Sequence, residues 1–260
     1  MLLFVLFLSV YTALFSARAK DSELKRLVLK AQNFIIFLFL TYILFASSPF
    51  LTLANPPLNG NGLNPILQDI GLAIHPPILY LGYCGFSLAL SFAVAALLQG
   101  KLTRDWGKIL RPWLMVSWGL LTFGIGLGSW WAYRELGWGG FWFWDPVENS
   151  SLLPWLSATA LIHSIIVSEK RNMLKGWTNL LAILTFSLCL VGFFLVRSGV
   201  LTSVHSFATD PTRGIFILSI MIVVIGGSLT LYAIRAHKLV SVGDFALTSR
   251  ESFMLINNII

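Results

Sequence analysis

Of 260 residues, 57% are hydrophobic and only 11% charged, with a mean hydropathy of +0.80, against about 25% charged in an ordinary soluble domain. That excludes a soluble protein and leaves a polytopic membrane protein, with room for roughly seven spans of about 20 residues and no large soluble domain. The net charge of +7 does not point to nucleic acid, because the basic residues are scattered through short loops between apolar runs.

The apolar runs, in chain order, are Leu2 to Ala17, Ala31 to Ala54, Gly71 to Gln99, Pro112 to Trp131, Leu152 to Ser168, Thr178 to Val196 and Ile215 to Ile234. None shows the strict alternation of a barrel strand, and lipid tolerates only helices or closed barrels. The expectation is an all-α bundle of about seven transmembrane helices, residues 1–260 forming one domain. Leu2 to Ala17 has no basic region before it and basic residues after it, so it reads as a retained span and not as a signal peptide. The chain ends at Leu255-Ile-Asn-Asn-Ile-Ile260, like the start of another apolar segment, so a split or truncated polypeptide is expected.

Lys and Arg separate cleanly by side. Alternate loops hold fifteen of them (Arg18 to Lys30, Lys101 to Arg111, Lys170 to Lys175, Arg235 to Arg250), and the other loops hold only Arg134, Arg197 and Arg213. By the positive-inside rule the richer set faces the cytoplasm or mitochondrial matrix. The outer loop Asn55 to Gln68 is rich in turn formers, lacks basic residues and reads as a short irregular lid. Cys84 and Cys189 lie far apart inside apolar runs without ligand spacing and read as buried small hydrophobes.

The outer segment between the fourth and fifth runs is the most informative. Six of the ten tryptophans, Trp130, Trp131, Trp138, Trp142, Trp144 and Trp155, fall in or at the edges of it, between positions 130 and 155. Indole is suited to a large flat apolar surface met beside polar groups, whether a membrane interface or a macrocycle. Asp145 and Glu148 follow on a proline turn at the top of the fifth span, where carboxylates cap a helix N-terminus.

Two histidines share that side. His75 precedes Pro76 and Pro77 at the outer start of the third span, with the prolines expected in the first helical turn; His205 lies in the outer loop after the sixth. Two neutral imidazoles across an aromatic platform are what bis-histidine ligation of a haem iron requires, and Arg134, Arg197 and Arg213 suit its propionates. The structural alternative is a helix cap and a loop hydrogen bond. His163 lies about 16 Å along a helix from Leu152, near the bilayer centre, where an ionisable group is by default a functional candidate. An axial position of a buried b-type haem fits it, the second ligand coming from another polypeptide; a hydrogen bond to a neighbouring helix is the plainer alternative. His237, beside basic residues on the inner side, reads as an interfacial residue.

Three segments carry a family resemblance. Trp138-Gly-Gly-Phe-Trp-Phe-Trp-Asp-Pro-Val-Glu-Asn149, Ile74-His-Pro-Pro-Ile-Leu-Tyr-Leu-Gly-Tyr83 and Ser203-Val-His-Ser-Phe-Ala-Thr-Asp-Pro-Thr-Arg-Gly214 resemble, in order and spacing, segments of the CcmF family, the haem lyase subunit of the cytochrome c maturation system. The resemblance implies axial ligation of a transferred haem by His75 and His205, one axial position of a b-type haem for His163, and a haem-contacting surface that includes Trp130, Trp131, Trp138, Trp142, Trp144, Asp145 and Arg134. It implies thioether attachment of haem to a Cys-x-x-Cys-His apocytochrome c on the outer face, in the periplasm or intermembrane space, of a bacterial or mitochondrial inner membrane. Implied partners are a haem chaperone, apocytochrome c, a complementary C-terminal haem lyase chain and other maturation subunits in the bilayer. Phe141 departs from the pattern, which usually has tryptophan there, and family members are longer at both ends. Two rival readings stay open, a haem-binding electron-transfer subunit of a respiratory complex and a haem transporter.

Overall fold

The computed structural model describes the chain except residues 61, 138, 204, 240, 242–247 and 258–260. Among the described residues all regular structure is helical: α1 (Leu2–Arg18), α2 (Glu23–Phe45), α3 (Ile70–Gln99), α4 (Arg104–Glu135), α5 (Pro146–Arg171), α6 (Lys175–Ser198), α7 (Pro211–Met221), α8 (Gly227–Arg235) and a short α9 (Arg250–Asn257). A single π-helical turn, Ile222–Gly226, joins α7 to α8 into one continuous rod. That rod and α2 to α6 are six helices long and apolar enough to cross a membrane. At 17 residues, α1 rises about 25 Å and sits at the short end of the crossing range. The expected helical bundle is present, with seven crossings when α1 is included.

Several boundaries differ from the apolar runs, and the cause is capping. α2 starts at Glu23 because the Ser22 hydroxyl accepts the Lys25 N–H at 3.1 Å, so its first two turns carry Lys25, Arg26 and Lys30. α4 starts at Arg104 behind the Thr103 cap, well before the apolar stretch. α5 begins at Pro146, since Asp145 and Glu148 form a reciprocal capping box that satisfies orphan N–H groups at the first turn. α2 ends at Phe45 because Ser47, Ser48 and Pro49 follow and the residue before a proline disfavours helix.

α3 is the hub of the bundle. It packs on α1, α2, α4 and α6, and nearly every residue from Gly82 to Leu97 is buried. Its seam with α4 is built on absent side chains. A Cβ on Gly82 would lie 2.7 Å from the Leu121 backbone nitrogen, one on Gly85 would meet the Ser117 hydroxyl, and one on Gly124 would lie 2.9 Å from Leu79 Cα. In lipid, where no hydrophobic effect draws helices together, such close backbone approach supplies the packing energy. Buried polar groups pin the rest: Gln32 Nε2 donates to Ser87 Oγ at 2.9 Å across α2 and α3, and Trp106 Nε1 donates to the Phe92 carbonyl at 2.9 Å. Cys84 and Cys189 are free and buried, as the sequence suggests.

Candidate functional site

At the end of the bundle that carries the tryptophan segment a cavity of about 780 Å³ opens between α3, α4, α5 and α6, within the usual range of about 300–1,000 Å³ for a ligand site. Its wall is mostly apolar, with Leu79, Tyr80, Phe193 and Phe207 among the residues lining it, and both His75 and His205 face it. Phe4 of α1 closes one side, stacked on Phe193 with centroids 5.6 Å apart. Asn64 and Leu67, ahead of α3, contribute to the rim.

His75 is held from α4. Its Nδ1 lies 2.7 Å from the Gly124 carbonyl oxygen, and because a carbonyl only accepts, Nδ1 carries the proton and Nε2 keeps its lone pair. The ring fits only because position 128 is glycine: a Cβ there would be 2.6 Å from Cε1 of the imidazole. The prolines do not lie in the first turn as expected. Asp69 caps the helix by accepting the Gly71 N–H at 2.7 Å, so α3 already runs for a turn before His75, and Pro76 and Pro77 are internal. They deprive the Leu72 and Ala73 carbonyls of helical donors.

His205 is held from α5. Its Nδ1 is 3.2 Å from Asp145 Oδ2, the Ser203 hydroxyl donates to the same oxygen at 2.6 Å, and the His205 backbone N–H donates to Ser203 Oγ at 3.0 Å. A carboxylate behind an imidazole fixes its tautomer and ring orientation. Asp145 therefore acts through His205 while also capping Val147 N–H at 3.0 Å.

The tryptophans divide. Trp131, 6% exposed, and Trp142 line the cavity, and each buries an indole N–H without an acceptor. Trp130 is 44% exposed under the Arg134 guanidinium, 4.4 Å from its ring centre. Trp144 is 69% exposed and takes the left-handed conformation at φ 56°, with Asn149 Nδ2 donating to its carbonyl at 3.0 Å. It meets Trp142 edge-on at 6.0 Å. Trp155 leaves the segment altogether and stacks on Trp118 of α4 at 5.8 Å. Trp138 lies outside the described residues. Arg134 is already paired, with Asp69 at 2.7 Å and Glu135 at 2.9 Å.

His163 is elsewhere, exposed on the outside of the bundle. Its Nδ1 lies 2.8 Å from the Thr159 carbonyl, so Nε2 is again bare. Trp118 Nε1 donates to Thr159 Oγ1 at 2.9 Å and Trp155 Nε1 to Thr122 Oγ1 at 2.8 Å, which makes this an aromatic face laced with hydroxyls. By helical rise His163 is about 12 Å from the C-terminal end of α5 and about 25 Å from its start, so it sits nearer one end than the central position a count from Leu152 implied, because the helix extends at both ends.

Residues 1–202 match the family described as cytochrome C assembly protein. The chain belongs to the cytochrome c assembly protein family. Over its whole length it is 58% identical to the cytochrome c-type biogenesis protein CycK of Bradyrhizobium diazoefficiens and 56% identical to the cytochrome c-type biogenesis protein CcmF of Escherichia coli. It spans about 40% of the length of each of these relatives. A solved structure titled cytochrome c heme lyase CcmF superposes with a TM-score of 0.77 at 31% identity, covering 99% of this chain and 38% of that one. The three motifs in the sequence thus identify a CcmF-type member of the cytochrome c assembly family, and sequence reasoning missed Asp69, Gly124 and Ser203. Ser203, two residues before His205, was the one with a local signal.

Proposed function

We propose that this chain serves cytochrome c maturation by holding a haem on the outer face of the membrane, with His75 and His205 as the two axial ligands, and presenting it to apocytochrome c. The observation that carries the reading is one apolar cavity faced by two imidazoles, each tied through Nδ1 and bare at Nε2. A porphyrin needs apolar walls for its faces and imidazole nitrogens for its iron, and this cavity has both. Haem here is cargo. Each thioether forms by adding a cysteine S–H across a vinyl C=C, sulfur to one carbon and hydrogen to the other, with no net redox change. Because the thiols are the apocytochrome's, the chain works by positioning, which makes a bimolecular encounter local.

His163 would hold the iron of a resident b-type haem against the Trp118–Trp155 face, with a complementary C-terminal chain completing that site. When bound, that group would supply electrons that keep the transferred iron reduced. A haem chaperone and other maturation subunits in the inner membrane are the remaining proposed partners. Omitting this chain from a reconstituted maturation system is expected to abolish haem staining of a Cys-x-x-Cys-His reporter; undiminished staining would overturn the assignment.

The cavity is assigned to the periplasmic or intermembrane-space side. A membrane-impermeant maleimide is expected to label a cysteine placed at Leu58, fully exposed in the 55–68 loop, from that side, and one at Lys101 only after permeabilisation. The reverse pattern would invert the topology.

A further inference from the structure

Of the three outward arginines, two are neutralised: Arg134 by Asp69 and Glu135, and Arg213 by Asp210 at 3.3 Å. Arg197, in the last turn of α6, is different. Its guanidinium carbon sits 4.2 Å over the ring of Phe207, a residue of the cavity wall, and its neighbour Val196 lines the same cavity. Its Nε is buried without an acceptor, and among the described residues it forms no ion pair. Trp131 and Trp142, in that wall, each bury an indole N–H that also has no acceptor. The carboxylate in the cavity lining, Glu148, already accepts the N–H groups of Phe143 at 2.9 Å and Asp145 at 3.2 Å. The cavity wall therefore has a surplus of donors, and one uncompensated cation stands beside it on the Phe207 ring; what is missing is a group that only accepts and carries negative charge.

We propose that Arg197, together with the indole N–H groups of Trp131 and Trp142, forms a carboxylate subsite in this cavity that takes a propionate side chain of an iron porphyrin. This rests on the haem reading above and sharpens it: the site selects for a free acid, where the histidines select only for iron. Arg134, grouped with the haem contacts by resemblance, acts instead as a strut between α3 and α4.

The test compares haem with haem dimethyl ester, which keeps the iron and the ring and removes both acids, on the full chain in detergent. The wild type is expected to bind haem at least about tenfold more tightly than the ester, with the same bis-imidazole spectrum for both. Arg197→Gln is expected to erase that preference by weakening haem alone, Arg197→Lys to keep part of it because charge remains while the fork is lost, and Trp131→Phe to narrow it. Equal affinity of the wild type for the two porphyrins, both giving the bis-imidazole spectrum, would overturn the subsite and leave the histidine assignment standing. If neither porphyrin gave that spectrum, the histidine assignment itself would fall, and the subsite with it.

Discussion

Replacing His75 or His205 with alanine is expected to convert haem bound by this chain from a low-spin, doubly imidazole-ligated species to a high-spin one, and to abolish attachment of haem to an apocytochrome reporter. The loss of affinity should exceed the about 10–100-fold expected when only an outer-sphere partner such as Asp145 is altered, since the iron loses a bond outright. The two sites fail for separable reasons. His75 is seated on a helix–helix seam, so its removal leaves a void beside Gly128 and a Gly124 carbonyl without its donor. His205 is seated on a loop by Asp145 and Ser203, so its removal leaves the bundle intact. Added imidazole is expected to restore the low-spin spectrum in both variants, which sets ligand loss apart from misfolding. His163→Ala is expected to leave this spectrum unchanged, because that ring lies on a different face.

The second large effect concerns the seam that carries His75. Alanine at Gly82 would drive a methyl into the Leu121 backbone, and alanine at Gly85 into Ser117 and the Tyr11 ring. Backbone cannot yield as the end of a side chain can, so each substitution is expected to cost about 1–3 kcal/mol and to lower the thermal unfolding midpoint in detergent. Gly126 is the control: a Cβ there meets nothing within 4 Å, so Gly126→Ala should be neutral. Gly128→Ala, at the cavity end of the same seam, should lose haem affinity with a smaller loss of stability, because the atoms in the way belong to the His75 ring. Equal stability of Gly82→Ala and Gly126→Ala would show that α3 and α4 are not locked by backbone contact.

Membrane crossing was legible because length and apolarity alone decide it, and the family was legible because three motifs with fixed chemistry fall in order. Helix ends were less legible. Polar first turns such as Glu23 to Lys30 and Arg104 to Arg111 contribute nothing to an apolar window, yet caps at Ser22 and Thr103 extend helices through them. The histidines stood out as residue types, whereas their supports did not: Gly124 is 49 positions from His75, and Asp145 is 60 from His205. The tryptophan cluster was legible as a cluster and not as a surface, because the turn at Trp144 and the helix starting at Pro146 send its members in different directions. Trp155 found its partner in Trp118, outside the segment. The pairing of Arg134 with Asp69 joins the end of α4 to the start of α3, 65 positions apart, and without it the three arginines Arg134, Arg197 and Arg213 were indistinguishable.

Electron–nuclear double resonance on haem-loaded protein carrying nitrogen-15 histidine counts imidazole nitrogens on the iron. In a His163→Ala background, which removes the proposed b-type site, the account predicts two, falling to one when either His75→Ala or His205→Ala is added and to none with both. Two such nitrogens persisting after either addition would contradict it.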